Sequence, residues 1–217
     1  LDNSGPWQVL TPWPNAWWNL NVQLSYWSVY ASNRLELGMP LVNAIGSNLN
    51  NLINNVPEAY RKDAAALPVA TDFNLIGETV NIPGTEKKAQ VGNLPWICHN
   101  LWLQYRFSMD ESILRNTIFP TLRRAINFYL PFLKEDKQGK LHLQRTFSPE
   151  YGIAEDCNYD IALLRWGCNT LLETTKILSI DDELIPRWKQ VIEKLTDYPQ
   201  DANGMMIGKD VPFSRSH

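Results

Sequence analysis

The sequence predicts an all-α fold, and two observations carry the prediction. Apolar residues recur along most of the chain with the three- and four-residue spacing of amphipathic helices, and the helices so predicted follow one another in consecutive antiparallel pairs. At 217 residues, with 44% hydrophobic and 20% charged residues, the chain is long enough for one well-buried domain and too short to favour two. We therefore expect a single domain over residues 1–217.

The apolar stripes place the helices in order along the chain. They predict helices at residues 20–37, 41–52, 94–105, 110–118, 120–133, 161–178 and 185–195. Asp110 is a capping residue for the fourth helix, and Pro120, which is best tolerated in a first turn, opens the fifth. Pro131 is expected to kink that fifth helix. The last two helices pair naturally as a helical hairpin.

Two long stretches without helical periodicity separate these helices. Residues 56–90 and 135–155 are rich in Pro, Gly, Asn and Thr, and the alternation of residues 140–144 predicts a short strand within the second. Loops of that length are uncommon inside a compact domain and are usually functional. We therefore expect the functional site in these loops and at the helix ends that border them.

Charge and cysteine content exclude several classes of partner. The net charge of −3 comes from 20 basic and 23 acidic residues spread along the chain, so no basic patch indicates nucleic acid or an anionic membrane surface. No apolar run approaches the roughly 20 residues of a membrane-spanning helix. Cys98, Cys157 and Cys168 are widely spaced and odd in number, which predicts buried free thiols. We expect an uncharged or small ligand, and neither a metal nor another cofactor.

The composition is unusual in its tryptophans. Five of the nine fall within the first thirty residues, namely Trp7, Trp13, Trp17, Trp18 and Trp27. A large indole can fill a core or offer a flat face to the C–H groups of a sugar. Clustering with Asn and Pro favours a cleft only modestly, so the sequence leaves core and cleft open for these side chains.

One loop carboxyl is a candidate general acid. Glu150 lies in Phe147-Ser148-Pro149-Glu150-Tyr151-Gly152, where the proline fixes the approach of the chain and Tyr151 supplies an aromatic wall. A carboxyl beside aromatic side chains loses solvation, which suits it to donate a proton near neutral pH. Taken alone, Ser-Pro-Glu is also an ordinary loop sequence.

Two amides near the N-terminus form a second candidate constellation. An amide offers one acceptor and two donors, so Asn19 and Asn21 can position a water molecule or grip sugar hydroxyls. Residues two apart on a regular helix point about 200° away from each other, so the pair shares a pocket only in an irregular segment or a first turn. The alternative is that one asparagine caps the helix and the other is solvated.

Four segments, in chain order, together resemble glycoside hydrolase family 95, the inverting α-L-fucosidases and related α-L-galactosidases. They are Asn19-Leu20-Asn21 with Tyr26-Trp27, Trp96-Ile97-Cys98 with Leu101-Trp102 and Tyr105, Ser148-Pro149-Glu150, and Ser214-Arg215-Ser216-His217. The last is similar to the entry to a histidine-rich segment of that family. The resemblance is spread over nearly the whole chain.

The resemblance implies a fold and a set of roles. The fold is an (α/α)6 toroid with long loops at its active-site end, of which residues 1–217 supply the first part and the chain beyond His217 the rest. Glu150 would protonate the leaving glycosidic oxygen, while Asn19 and Asn21 hold and activate the attacking water. Candidate substrate-binding residues are Trp17, Trp18, Trp96, Tyr151 and His217.

The general base is expected outside these residues. Inverting hydrolysis by two carboxylates places acid and base roughly 6.5–9.5 Å apart on opposite faces of the sugar. In the family, an aspartate much farther downstream polarises the two asparagines, and residues 1–217 contain no such segment. Asp160 is a tempting substitute, but its place at the start of the 161–178 helix favours a helix N-terminal charge.

Two departures from the family keep other functions open. Trp17 stands where a histidine would suit an L-fucoside, and residues 68–73 read Pro68-Val69-Ala70-Thr71-Asp72-Phe73 where paired histidines are common. The alternatives are an inert glycan-binding toroid, another (α/α)6 hydrolase such as an α-L-rhamnosidase, and an all-α scaffold that buries its N-terminal tryptophans. The resemblance also implies a glycan substrate and a periplasmic or secreted location.

Overall fold

The structure is a computed structural model that describes residues 16–213. About half of the chain is helical and the strands are few and short, so the prediction of a mostly helical fold is confirmed, while the toroid stays a prediction. Contacts group the chain into two compact units. The first comprises the residues up to Val80 together with Asn93–Ala125, and the second comprises Asn81–Gly92 and the residues from Ile126 onward.

The first unit contains most of the shorter helices. Its elements in chain order are β1 (Ala16–Trp17), α1 (Asn21–Ala31), α2 (Met39–Ser47), α3 (Leu49–Asn54), β2 (Ala70–Thr71), α4 (Asn93–Ser108), α5 (Glu111–Ile113) and the start of α6 (Phe119–Asn127). β1 and β2 pair in the antiparallel sense. The long α4 packs against α1, as its apolar stripe requires, and buries Leu94, Ile97 and Leu101 completely.

Two predicted helices of the first unit are interrupted. The helix expected at 20–37 ends at Ala31 because Asn33 adopts a left-handed φ of 57°, and a 3-10 turn at Leu35–Leu37 follows. The helix expected at 41–52 breaks at Asn48, whose side-chain amide donates to the Ala44 carbonyl. Asn33 ends the first helix through its left-handed backbone, and Asn48 interrupts the second with a side-chain hydrogen bond that competes with a continuous helix.

The cap predicted at Asp110 is confirmed. Its carboxylate accepts from the Ser112 backbone N–H at 2.9 Å and opens α5, which continues through a π-helical turn at Leu114–Ile118 into α6. Pro120 lies in the first turn of α6, as predicted. That helix ends at Asn127 and not near residue 133, because a 3-10 turn at Leu130–Phe132 contains Pro131 and leads into a strand.

The second unit combines two helices with short strand pairs. Its remaining elements are β3 (Leu133–Glu135), β4 (Leu141–Leu143), β5 (Thr146–Ser148), β6 (Gly152–Ala154), α7 (Asn158–Leu178), α8 (Ile185–Lys194), β7 (Gln200–Asp201) and β8 (Gly204–Met205). β3 pairs with β4, β5 with β6, and β7 with β8, all antiparallel. The predicted α7–α8 hairpin is confirmed, because these two helices pack against each other around the fully buried Trp188.

Cysteines and membrane character were also predicted. Cys98, Cys157 and Cys168 are buried free thiols, as expected. Between residues 16 and 213, every helix is too short or too polar to cross a membrane.

Candidate active site

Glu150 lies at the tip of a tight hairpin that the sequence did not predict. β5 pairs with β6 with Ser148 opposite Gly152, which leaves residues 149–151 as the connection. The Tyr151 backbone N–H donates to the Ser148 carbonyl at 3.2 Å and closes a four-residue turn. The loop expected at 135–155 is thus partly ordered by strands, and its candidate acid occupies a defined place in a turn.

The backbone of Glu150 is in the left-handed region, with φ of 69°. Pro149 sits at the second position of the turn and Glu150 at the third, and a proline followed by a positive φ is the pattern of a type II turn. Glycine or asparagine normally fills that third position, because a Cβ there costs roughly 1–2 kcal/mol. Glu150 therefore has a carboxylate side chain at a position whose backbone conformation disfavours most side chains.

The surroundings of Glu150 differ from the expectation. Its side chain is exposed, and Tyr151 beside it is 43% exposed. The solvent exclusion that the neighbouring aromatic residue was expected to give is absent around Glu150 in this structure. Tyr151 shares the turn with the acid, so these two predicted site residues lie together.

A buried carboxylate contacts the first strand of the same hairpin. Asp160 is in the first turn of α7, as predicted, and it is fully buried. It accepts hydrogen bonds from the Thr146 hydroxyl at 2.6 Å and from the Tyr129 hydroxyl at 2.6 Å. Burial raises the pKa of Asp160 to about 6, against the opposing effect of these hydroxyls and of the Cys157 thiol. Neither oxygen faces solvent, which argues against Asp160 as the base that activates water.

The two asparagines lie at the start of α1 in the first unit. Asn19 is buried in the turn before the helix, and Asn21 is the first helical residue and is exposed. This is the irregular first-turn setting that sharing a pocket requires. In the alternative, the capping half is wrong, because the N-cap position is Leu20 and no side chain caps the helix. The exposed Asn21 matches the solvated half, and a shared pocket stays a prediction.

Long-range hydrogen bonds fix the segment that carries Asn19. The Trp18 indole N–H donates to the Thr71 hydroxyl at 2.8 Å, and the Trp18 backbone N–H donates to the Val69 carbonyl at 2.8 Å. The Gln23 side-chain amide donates to the Trp18 carbonyl, and the Asn100 amide donates to the Gln23 carbonyl at 2.9 Å. These bonds hold the backbone on both sides of Asn19.

The supporting residues Gln23, Thr71 and Asn100 were not predicted as site residues, although the sequence contains a signal for Asn100. Gln23 and Asn100 are fully buried amides on helices. On α4, the buried polar residues Asn93, Asn100 and Gln104 recur at helical spacing beside the apolar stripe. Polar residues in that pattern indicate buried hydrogen bonds. Thr71 lies in a non-periodic stretch, where the sequence offers no comparable signal.

The tryptophans divide between core and surface. Trp18 is buried at 4% exposure, Trp17 and Trp96 are partly exposed, and Trp27 is 45% exposed. Trp7, Trp13 and the predicted substrate-binding residue His217 lie outside the described residues. The structure thus brings Trp17, Trp18, Asn19 and Asn21 together on one segment of the first unit, and Glu150 with Tyr151 on one turn of the second.

A separate polar cavity in the second unit contains none of the predicted site residues. Its volume is about 460 Å³, and its lining includes Asp136, His142, Arg145 and Lys209. His142 contacts Asp156 through Nδ1 at 2.6 Å and Asp136 through Nε2 at 3.3 Å. Burial lowers the pKa of His142, but the two carboxylates outweigh it and raise that pKa above 6.5. Among residues 16–213, no group of three or more His, Cys, Asp and Glu side chains can hold a metal ion.

Comparison with known proteins gives the same family as the sequence motifs. The model of the glycosyl hydrolase family 95 catalytic domain matches residues 4–207. Probable alpha-fucosidase A of Aspergillus niger is 26% identical over 141 residues, which cover 62% of this chain and 17% of that protein. Alpha-L-fucosidase 2 of Arabidopsis thaliana is 24% identical over 191 residues, which cover 82% of this chain and 22% of that protein.

The chain spans about a fifth of the length of these two relatives. The family match, in contrast, extends over nearly the whole chain, and it includes the asparagine segment, the α4 segment and the Ser-Pro-Glu loop that carried the resemblance. The chain therefore belongs to the glycosyl hydrolase family 95 catalytic domain.

Proposed function

We propose that the protein containing this chain removes a terminal α-linked L-fucose, or a related L-sugar, from a glycan with inversion at the anomeric carbon. Family membership and the names of the two relatives support a glycosidase acting on this class of sugar. The observation that carries the assignment of the acid is the exposed carboxylate of Glu150 at the tip of the β5–β6 turn, inside the Ser-Pro-Glu segment. Its φ of 69° is positive like that of six other described non-glycine residues, so the backbone alone does not distinguish it.

In this proposal Glu150 protonates the glycosidic oxygen as the bond to the leaving group breaks. The exposed turn gives a bound substrate direct access to the carboxyl, and Tyr151 offers an aromatic ring beside it. General acid catalysis of this kind contributes about 10²- to 10⁴-fold to the rate. The contribution is largest for leaving groups that are poor as free anions.

The water is proposed to be held by Asn19 and Asn21. Their amides are uncharged, so they orient a water molecule through hydrogen bonds but remove its proton poorly. A carboxylate is needed to polarise them, and the buried Asp160 already accepts two hydroxyl hydrogen bonds. We propose that this carboxylate lies in a part of the protein outside residues 1–217, and that this part completes the toroid. The chain spans only about a fifth of the length of its relatives, which leaves room for such a part.

A second candidate is a toroid that binds glycan without cleaving it. The two departures from the family are neighbours in the structure: Trp17 pairs with Ala70 in the β1–β2 ladder. A tryptophan and an alanine-containing strand therefore replace the two histidine-bearing segments together. This coupled change alters the sugar contacts on that side and can also remove turnover.

Glu150→Gln in the full-length protein tests the proposed acid. We expect kcat/KM to fall about 10²- to 10⁴-fold for alkyl or oligosaccharide α-L-fucosides, and much less for an aryl fucoside with a good leaving group. The matched control is Glu155→Gln, which removes a half-exposed carboxylate just after the same hairpin. NMR of the first product formed identifies the anomer and hence inversion.

Three results distinguish the candidates. Equal loss for all leaving groups, or no loss, contradicts the acid role of Glu150. A wild-type protein that binds L-fucosylated oligosaccharides in calorimetry but releases no sugar supports the inert toroid. Turnover of α-L-rhamnosides in place of L-fucosides or L-galactosides favours the other hydrolase class.

A further inference from the structure

Asp160 is the most completely buried carboxylate among the described groups, and the proposed chemistry does not use it directly. Both of its oxygens are occupied: Oδ1 accepts from the Tyr129 hydroxyl and Oδ2 from the Thr146 hydroxyl, each at 2.6 Å. Taking a carboxylate out of water is costly unless hydrogen bonds compensate. A group retained in this setting therefore needs an explanation beyond its place in the first turn of α7.

The bond to Thr146 connects Asp160 to the hairpin that carries Glu150. Thr146 is the first residue of β5 and is fully buried, and β5 ends at Ser148, where the turn begins. β5 also packs against α7. The strand below the turn is thus tied to the N-terminal end of α7 through the Thr146 side chain.

Gly152, directly after the turn, borders open space, since a Cβ placed there would meet no atom within 4 Å. A short exposed turn takes its direction largely from the strands below it. A misdirected acid loses much of its effect, because proton transfer depends on a geometry held within about 0.5 Å.

We propose that Asp160 is a positioning residue for Glu150: its carboxylate anchors β5 through Thr146 and so fixes the direction in which the turn presents the acid. This inference rests on the proposed role of Glu150 in glycoside hydrolysis. It adds a residue that touches neither sugar nor water and acts through one side-chain hydrogen bond to the strand.

Two nearly isosteric variants separate positioning from general stability. Thr146→Val and Tyr129→Phe each remove one hydroxyl donor from the same carboxylate, and the two lost bonds have the same length. Only Thr146 belongs to the hairpin. Thr146→Ser retains the hydroxyl and is the conservative rescue. All three variants are made in the full-length protein. Asp160 itself is left in place, because removing it carries a greater risk of unfolding.

Amide hydrogen exchange over residues 146–154 is the first readout and requires no activity. We expect Thr146→Val to speed exchange there by at least about tenfold, the low end of the loss expected for one hydrogen bond to a charged group, while Thr146→Ser stays close to the wild type. Tyr129→Phe is expected to change exchange in this segment by less than about threefold, since Thr146 still binds Asp160. Equal acceleration by Thr146→Val and Tyr129→Phe, or none by Thr146→Val, overturns the proposal.

The leaving-group dependence is the second readout. For Thr146→Val we expect kcat for alkyl fucosides to fall at least about tenfold more than kcat for an aryl fucoside with a good leaving group, with KM little changed. Equal loss across the series indicates a merely structural role and overturns the proposal. If the wild type releases no sugar, the proposed function fails, and the exchange experiment still decides whether Asp160 anchors the hairpin.

Discussion

Replacing Glu150 by glycine should stabilise the turn while removing the acid. Glu150 has φ of 69° at the third position of a turn that Pro149 and the Tyr151-to-Ser148 hydrogen bond define. A glycine adopts this backbone without a Cβ clash. Glu150→Ala is the matched control, since it removes the same carboxylate and keeps the Cβ.

The magnitude follows from two opposing terms. Relief of the left-handed conformation gains roughly 1–2 kcal/mol, and the larger entropy of glycine in the open chain costs roughly 0.5–1 kcal/mol. The net gain of Glu150→Gly over Glu150→Ala is therefore about 0.5–1 kcal/mol in favour of the closed turn. Expressed as an opening equilibrium, this is about a two- to fivefold change.

Exchange of the Tyr151 amide measures this difference directly, because that N–H donates across the turn to Ser148 at 3.2 Å. We expect the amide to exchange about two- to fivefold more slowly in Glu150→Gly than in Glu150→Ala, and both variants to lose turnover of alkyl fucosides. Equal or faster exchange in the glycine variant would refute the strain at this turn. Retained turnover of poor leaving groups would refute the acid role.

Two further predictions concern pH, and in both the stability falls as the pH rises, for different reasons. Burial raises the pKa of Asp160 to about 6, so the folded state holds this proton more tightly than the unfolded state and loses stability as the pH rises from about 4 to 6. We expect the free energy of unfolding to fall by about 3 kcal/mol relative to Asp160→Asn over this range. A pH-independent difference in unfolding free energy between the two proteins would contradict this prediction. Burial lowers the pKa of His142, but Asp156 and Asp136 outweigh it and raise that pKa above 6.5. The contribution of His142 to folding stability is therefore complete below pH 6.5 and disappears above the raised pKa. The thermal unfolding of His142→Gln should differ from that of the wild type most at acid pH, and a larger difference at alkaline pH would argue against the ion pairs.

The sequence predicted the long helices well because their stabilising pattern is local and repetitive. The stripe from Leu94 to Tyr105 corresponds to α4, and those at 161–178 and 185–195 correspond to α7 and α8. The short helices were less predictable, because one residue decides where they end. Asn33 ends one helix through a left-handed backbone, and Asn48 breaks another through a side-chain hydrogen bond. The apolar spacing continues past both residues, so the sequence pattern does not reveal these breaks.

The hairpin of Glu150 was missed for a different reason. In β5 the buried residues are the polar Thr146 and Ser148, so the apolar alternation that predicted β4 is lacking. The pairing of β5 with β6 is supported by contacts distant in sequence. Thr146 bonds Asp160, and the Phe147 backbone N–H donates to the Ala89 carbonyl at 3.0 Å. The motif therefore gives the position of the proposed acid in the chain, but the direction of its backbone depends on residues far from the motif.

For Asp160, too, the position was predictable from the local sequence and the contacts distant in sequence were not. Its place in the first turn of a helix was predictable and is confirmed, since position is a local property. Its complete burial was not predictable, because Tyr129 and Thr146 approach from 31 and 14 residues away. The local pattern assigns this carboxylate to a helix N-terminus, and the two hydroxyls that accompany its burial come from outside that pattern.

The strain at Glu150 and the anchor at Asp160 fit together energetically. A left-handed glutamate costs roughly 1–2 kcal/mol and persists only where its surroundings over-determine it. A hydrogen bond to a charged group is worth about 1.5–3 kcal/mol, so the Thr146 bond alone is of the size needed to hold the strained turn closed. The Glu150 side chain is exposed, so the residues that we propose to aim it do not also shield it from water. Direction and solvation of the proposed acid are therefore separate requirements, and the proposed anchor would meet the first.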